Sequence, residues 1–337
     1  MTRTGPEIKS LPEVFPVSIF GSVMGLAGLS RAFRLAETLF GLSTFAGDLV
    51  TFIAVTAFIL IAGIFLVKVF RFPKSVRDEF LHPSKGSFYA TIPIAVLLMS
   101  TVVRSHFQIG YFMWCSGTVL MLALTGYTFY SLISRGRQQL DISPVLILPV
   151  VGVLNIAVTA AVRHTGVADE IILFSFSVGS ILTIVFFTII ISRIVLHDAL
   201  PLSAQPTLMV LMSPFAVGFL AYIKIIDRTD VFAVMLFYTA LFLFLVFLIK
   251  IFNSQRGFIH TWWSLSFPVA ALTNCSLKYA AFHPTILPEV IALGLLTSLT
   301  LLITYMLIMT ISGLVSGSLF IDKPDGMISV KLTQNCI

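Results

Sequence analysis

The sequence predicts an all-α membrane protein: ten transmembrane helices, paired as five helical hairpins in a quasi-five-fold arrangement around a central pore. Three observations lead there. Hydrophobic residues make up 58% of the 337 and charged residues 11%, with a mean hydropathy of +1.02. Soluble domains carry about 25% charged residues, so most of this surface must face lipid. The apolar runs have bilayer length. Every odd-numbered run carries a proline a short way past its start, and no even-numbered run has one beyond its first turn.

A span needs about 20 apolar residues to cross roughly 30 Å of hydrocarbon. Breaks at charged or turn-rich stretches give spans at 15–36, 46–70, 88–104, 109–133, 144–163, 168–192, 206–226, 230–252, 261–282 and 285–315. Connections after odd spans are tight, as in RHTGVADE (163–170) and KIIDRTD (224–230). Those after even spans are longer, as in KVFRFPKSVRDEFLHPSKG (68–86) and RGRQQLDIS (135–143). The alternation reads as hairpins with no room for a sizeable soluble domain. The organisation expected is an N-terminal tail (1–14), a pore domain (15–320) and a C-terminal tail (321–337).

The side holding both termini has fourteen Lys and Arg and the opposite side seven. Short cytoplasmic loops keep the excess of basic residues, so both termini are expected in the cytoplasm and the protein in the cell inner (plasma) membrane. No signal-peptide pattern opens the chain. The formal charge is +6, but no basic cluster is interleaved with aromatics, so no nucleic-acid partner is expected. Cys115, Cys275 and Cys336 form no CxxC pair, which suggests neither a disulfide frame nor a metal site.

The prolines are Pro16, Pro93, Pro149, Pro214 and Pro268. Proline removes a backbone hydrogen bond and clashes with the preceding turn, and carbonyls freed in lipid cost several kcal/mol unless protein or water satisfies them. Any one of them is readable as an ordinary kink. Five on one class of helix place kinked helices inside, around a passage, with unbroken helices outside. Gly21, Gly25 and Gly28 on the first span allow close helix approach, and packing and pore lining are equally open readings for them. Ser18, Ser22, Ser213 and Ser266 offer hydroxyls to the same passage.

Some ten to fifteen residues past each proline comes a cation: Arg31, Arg104, Arg163, Lys224 and Lys278. Two readings stand side by side, interfacial anchors and an anion-attracting ring at the far mouth. At ~4 Å and an effective dielectric of ~20, one such charge is worth about 4 kcal/mol to an anion. The acids Asp48, Asp169, Glu170, Asp230 and Glu289 fall near the starts of even helices, where they favour the helix dipole. None falls mid-span, which argues against coupling through a carboxylate relay. His106, His164 and His283 show no metal-ligand spacing. No catalytic set assembles at plausible depth, so neither an enzyme nor a cofactor is expected.

Four stretches carry a resemblance: FPVSIFGSVMGLAGL (15–29), VRDEFLHPSKGSFYATIP (76–93), PTLMVLMSPFAVGFLAY (206–222) and WWSLSFPVAALTNCSLKYA (262–280). They resemble the first helix, the approach to the third, the seventh and the ninth helix of the tellurite-resistance/dicarboxylate transporter family. That family includes the bacterial TehA proteins and the plant guard-cell slow anion channels. The resemblance implies a ten-helix pore, usually a homotrimer, occluded by a phenylalanine on the ninth helix; the matching position is Phe267. From composition alone Phe267 reads as one more lipid- or core-facing ring among thirty-one. The function expected is a passive channel for small monovalent anions such as nitrate and chloride. The alternatives are a coupled carrier for C4-dicarboxylates or oxyanions such as sulfite or tellurite and, distantly, an intramembrane enzyme.

Overall fold

A computed structural model describes residues 11–82, 85–103, 107–135, 142–160, 166–197, 200–252 and 262–315. Among these the chain is helical, with no strands. The helices are α1 (Leu11–Val14), α2 (Phe20–Phe40), α3 (Phe45–Arg71), α4 (Pro73–Leu81), α5 (Thr91–Val102) and α6 (Phe107–Arg135). They continue with α7 (Leu148–Thr159), α8 (Gly166–Leu196), α9 (Ser213–Ile226), α10 (Val231–Phe252), α11 (Trp263–Phe282) and α12 (Ile286–Val315). Turns of 3-10 helix run into α2, α5, α7 and α9 at Val17–Ile19, Gly86–Ala90, Pro144–Ile147 and Leu202–Met212.

Among the described residues six segments are long and apolar enough to cross a membrane, or seven if α4 and Gly86–Val102, bent by 108°, count as one. The protein is therefore multi-pass. Five of the six are α3, α6, α8, α10 and α12, and the sixth contains α9. The other long helices fall short for visible reasons. α2 carries Arg31, Arg34 and Glu37 close together, α7 is short, and α11 is interrupted by Ser266, Thr273, Asn274, Ser276 and Lys278.

Packing explains why these helices need not be greasy. α7 is buried along its whole length, whereas the most apolar stretch of α3 is 6% buried. α2 packs on α5, α5 on α7, α7 on α9, α9 on α11, and α11 returns to α2, so these five close a circuit. Each also pairs with the helix that follows it: α2 with α3, α5 with α6, α7 with α8, α9 with α10 and α11 with α12. Each of those outer helices leans on the next inner helix, and α12 closes the sequence onto α2. Side chains nail the layers together. On α6, the Trp114 indole donates to the Ile156 carbonyl at 3.0 Å and Thr125 to the Pro149 carbonyl at 3.1 Å, both on α7.

The prolines stand differently from a simple kink in one continuous α-helix. Pro16 precedes the first 3-10 turn, Pro149 and Pro214 occupy the first turn of α7 and α9, and Pro93 is the third residue of α5. A first-turn N–H has no intrahelical acceptor, so proline costs nothing there. At Pro93, Pro149 and Pro214 the break is a switch from 3-10 to α geometry just before the proline, and at Pro16 the switch follows it, at Phe20. Pro268 differs: it lies inside α11.

Candidate functional site

α2 meets α11 along a seam built from small residues. A Cβ on Gly21 would lie 3.1 Å from the Trp263 carbonyl oxygen, one on Gly25 2.3 Å from Ser266 Oγ, and one on Gly28 2.6 Å from Ala270 Cβ. At Gly25 and Gly28 only glycine admits that approach. Ser266 is turned into the same seam, donating at 3.1 Å to the Gly21 carbonyl and at 2.8 Å to the Trp263 carbonyl. Ser266 was expected on the passage wall, and for Gly21 and Gly25 packing and pore lining were both open. Their substituent directions instead point into a helix–helix contact, because two backbones this close leave no room for anything else.

The seam fixes the rotation of α11. At about 100° per residue, Ala270 faces α2 and lies about 60° to one side of Phe267. Tyr279, stacked on Phe237 of α10 and edge-on to Phe219 of α9, lies about 120° to the other side. Thr273, which donates to the Leu295 carbonyl of α12, lies on the outer side with the α12 contact. Phe267 is 4% exposed and occupies the arc between α11's two neighbours in the circuit. Ala271, Asn274 and Lys278 share that arc.

Asn274 is a polar residue that sequence reasoning passed over. Its amide donates to the Gly28 carbonyl at 2.9 Å and the Ala270 carbonyl at 2.7 Å, and its Oδ1 is buried without a hydrogen-bond partner. The signal was present, an amide inside an apolar run, but nothing in the run says which side it faces. Ser18 is buried, Ser22 donates to the Ile19 carbonyl at 2.7 Å, and Ser213 is fully buried with no hydrogen-bond partner for its hydroxyl.

At the opposite ends of the inner helices the cations have specific duties. The Lys224 ammonium, on α9, donates to the carbonyls of Val158, at 3.0 Å, and Ala160, at the C-terminal end of α7. It therefore caps a neighbouring helix. Arg31 and Lys278 are partly buried and also engaged. Arg104 and Arg163 lie outside the described residues. Arg34 pairs with Glu37 at 3.3 Å and with Asp48 in the first turn of α3, joining the two arms of the first hairpin.

A model of the voltage-dependent anion channel family (SLAC1) matches residues 14–311. The chain belongs to that family. It is 27% identical over 315 residues to the tellurite resistance protein TehA homolog of Haemophilus influenzae, covering 92% of this chain and 94% of that one. It is 23% identical over 334 residues to an uncharacterized transporter of Methanocaldococcus jannaschii, covering 92% and 97%. The S-type anion channel SLAH3 of Arabidopsis thaliana is 23% identical over 308 residues, and this chain, matched over 88% of its own length, spans 48% of it. The family is one of channels and transporters, not of enzymes.

Two further polar sites complete the picture of this family member. Lys68, at the end of α3, is 2% exposed and donates at 2.8 Å to the Phe15 carbonyl and at 2.5 Å to Glu79 of α4. Glu79 in turn accepts the Val17 N–H at 3.2 Å. One buried ion pair thus satisfies the backbone on both sides of Pro16. In the loop before α10, Asp230 accepts the N–H groups of Phe232 and Ala233, each at 3.1 Å, and the Tyr222 hydroxyl. The Tyr222 hydrogen bond first, then those backbone N–H groups, hold its carboxyl below the usual carboxylate range.

Proposed function

We propose that this protein is a passive channel for small monovalent anions such as nitrate and chloride, with a central pore plugged by Phe267. In this reading the five hairpins are ten crossings in quasi-five-fold order, both termini are cytoplasmic, the membrane is the cell inner membrane, and the assembly is a homotrimer. The observation that carries it is the closed circuit of α2, α5, α7, α9 and α11, with Phe267 buried on α11 between its α2 and α9 sides. Membership of the voltage-dependent anion channel family supports the same reading.

The wall suits conduction. It is composed of apolar side chains, backbone at the 3-10/α junctions and a few hydroxyls such as Ser18, Ser22 and Ser213. Such hydrogen bonds are weak and replaceable, and an ion must leave as readily as it enters. Weakly hydrated nitrate sheds water more cheaply than chloride and should pass faster. Arg31 and Lys278 attract anions to the far mouth.

The test is anion flux in vesicles of purified protein. Phe267→Ala should raise flux by an order of magnitude or more, with reversal potentials that follow the anion gradient alone. A folded Phe267→Ala variant with unchanged flux would remove the gate assignment. Accumulation of a dicarboxylate against its own gradient, driven by pH, would make the protein a coupled carrier instead.

A further inference from the structure

α4 lies across the span direction, at 108° to Gly86–Val102, and begins two residues after α3 ends. Its position is therefore the level at which a lipid-facing helix leaves the apolar layer. Its two faces are chemically distinct. Toward the protein, Glu79 meets Lys68 and the Val17 N–H, Ser75 donates to the Glu13 carbonyl, and the Tyr89 hydroxyl donates to the Val76 carbonyl. Phe80 packs on Tyr89 and Tyr127.

Away from the protein, Arg71, Lys74 and Arg77 are exposed. The chain gives their side chains no acceptor among the described residues, and the exposed acid beside them is Asp78. Bare apolar side chains flank them, Phe70 at 82% and Leu81 at 47% exposure. Exposed cations beside bare apolar groups match the boundary between lipid phosphates and acyl chains, where basic juxtamembrane segments gather anionic lipid. Their long stems let them reach that boundary while covering apolar surface.

We propose that Lys74 and Arg77 on the outer face of α4, with Arg71 at the end of α3, form a binding site for the phosphate of anionic phospholipid headgroups. Because the inner face of the same short helix holds Glu79, and through it the backbone around Pro16, occupancy of the site also sets how firmly the start of α2 is held. A bound headgroup stabilises the protein, and anion flux depends on the lipid. Only this last consequence rests on the channel reading.

The experiment uses the full chain in mixed phosphatidylglycerol and phosphatidylcholine. Retained lipid is counted by native mass spectrometry, and thermal stability and vesicle flux are measured alongside. Wild-type protein should retain phosphatidylglycerol in preference and melt higher in its presence, and its flux should differ several-fold between the two lipids. Arg71→Gln/Lys74→Gln/Arg77→Gln should lose all three responses, while Lys250→Gln, at the end of α10, keeps them. The single neutralisations, each lowering the preference part-way, serve if the triple variant is not recovered. A triple variant with wild-type lipid preference overturns the site, as does a loss matched by Lys250→Gln. Inorganic phosphate that reproduces the stabilisation also overturns it, by making the ligand a free anion. Protein that selects phosphatidylglycerol yet conducts no anion leaves the site standing and sinks the channel reading alone.

Discussion

Replacing Gly25 by alanine probes the seam that sets the rotation of α11, and with it the direction of Phe267. The new Cβ would fall 2.3 Å from Ser266 Oγ and 2.5 Å from Ser266 Cβ. Carbon atoms in favourable contact stand about 3.5–4.0 Å apart, so α2 and α11 must separate by roughly 1 Å or Ser266 must leave its rotamer. Overpacking of this kind costs about 1–3 kcal/mol. Loss of the Ser266 hydrogen bond to the Gly21 carbonyl adds about 1 kcal/mol. The expected destabilisation is therefore about 2–4 kcal/mol. Ser266→Gly removes both clashing atoms, so the double variant should recover part of the loss, within the roughly 0.5–3 kcal/mol of coupling found for residues in contact. Gly63→Ala on α3, where a Cβ meets nothing within 4 Å, is the control and should be neutral or slightly stabilising. Membrane proteins seldom unfold reversibly, so the assay is the half-life of the native state at a fixed high temperature. Gly25→Ala with a wild-type half-life, or without rescue by Ser266→Gly, would refute the account of the seam.

Lys68→Met leaves the Glu79 carboxylate buried without its counter-ion and should destabilise by about 3–5 kcal/mol, whereas Lys68→Met with Glu79→Gln should cost less than either change alone; thermal inactivation of all three variants checks this. Lys224→Met uncovers the last carbonyls of α7 and should lower stability by about 1–3 kcal/mol, with amide exchange accelerating first in the closing turn of α7. Asp230 is held below its ordinary pKa in the folded state, so its stabilising contribution is present above the unfolded-state pKa and lost as pH falls through the folded one. Tyr222→Phe removes the leading cause of that shift and should move the loss to higher pH, seen in NMR titration of the Asp230 carboxyl.

Much of the fold was legible because lipid imposes simple rules. The outer helices had to be long and apolar, and the expected 46–70 and 230–252 became Phe45–Arg71 and Val231–Phe252. The inner spans came from the same breaks in the apolar runs, and the recurring proline then set them apart as a class. The local geometry around that proline was not legible. A proline in the first turn of α7 and one inside α11 look alike in sequence, because the distinction lies in where the chain leaves 3-10 geometry. Seam and wall were also indistinguishable: Gly25 and Ser266 have the residue types of a pore wall, and only the rotation of α2 against α11 places them in contact. The Lys68–Glu79 pair escaped notice because sequence reading assigns both to a solvated loop region, while the fold lays α4 over the start of α2.

The cations past each proline admit one more step. In the proposed ring all five inner helices run in the same direction, so each presents its C-terminal end to the far mouth. Unsatisfied carbonyls there carry about half a negative charge per helix, roughly 2.5 charges in all, and alone they would repel an anion. About three cations would neutralise such a mouth, and the sequence offers five. Lys224 shows the arrangement directly, on α9 but bonded to the carbonyls that close α7. Capping and anion attraction are then two parts of one electrostatic balance. In the proposed ring five positive charges would exceed five half-charges, and the surplus would be what an anion meets. The Lys224→Met variant should therefore lose anion selectivity as well as stability. A variant destabilised in α7 but with selectivity intact would show that the cap consumes the whole charge.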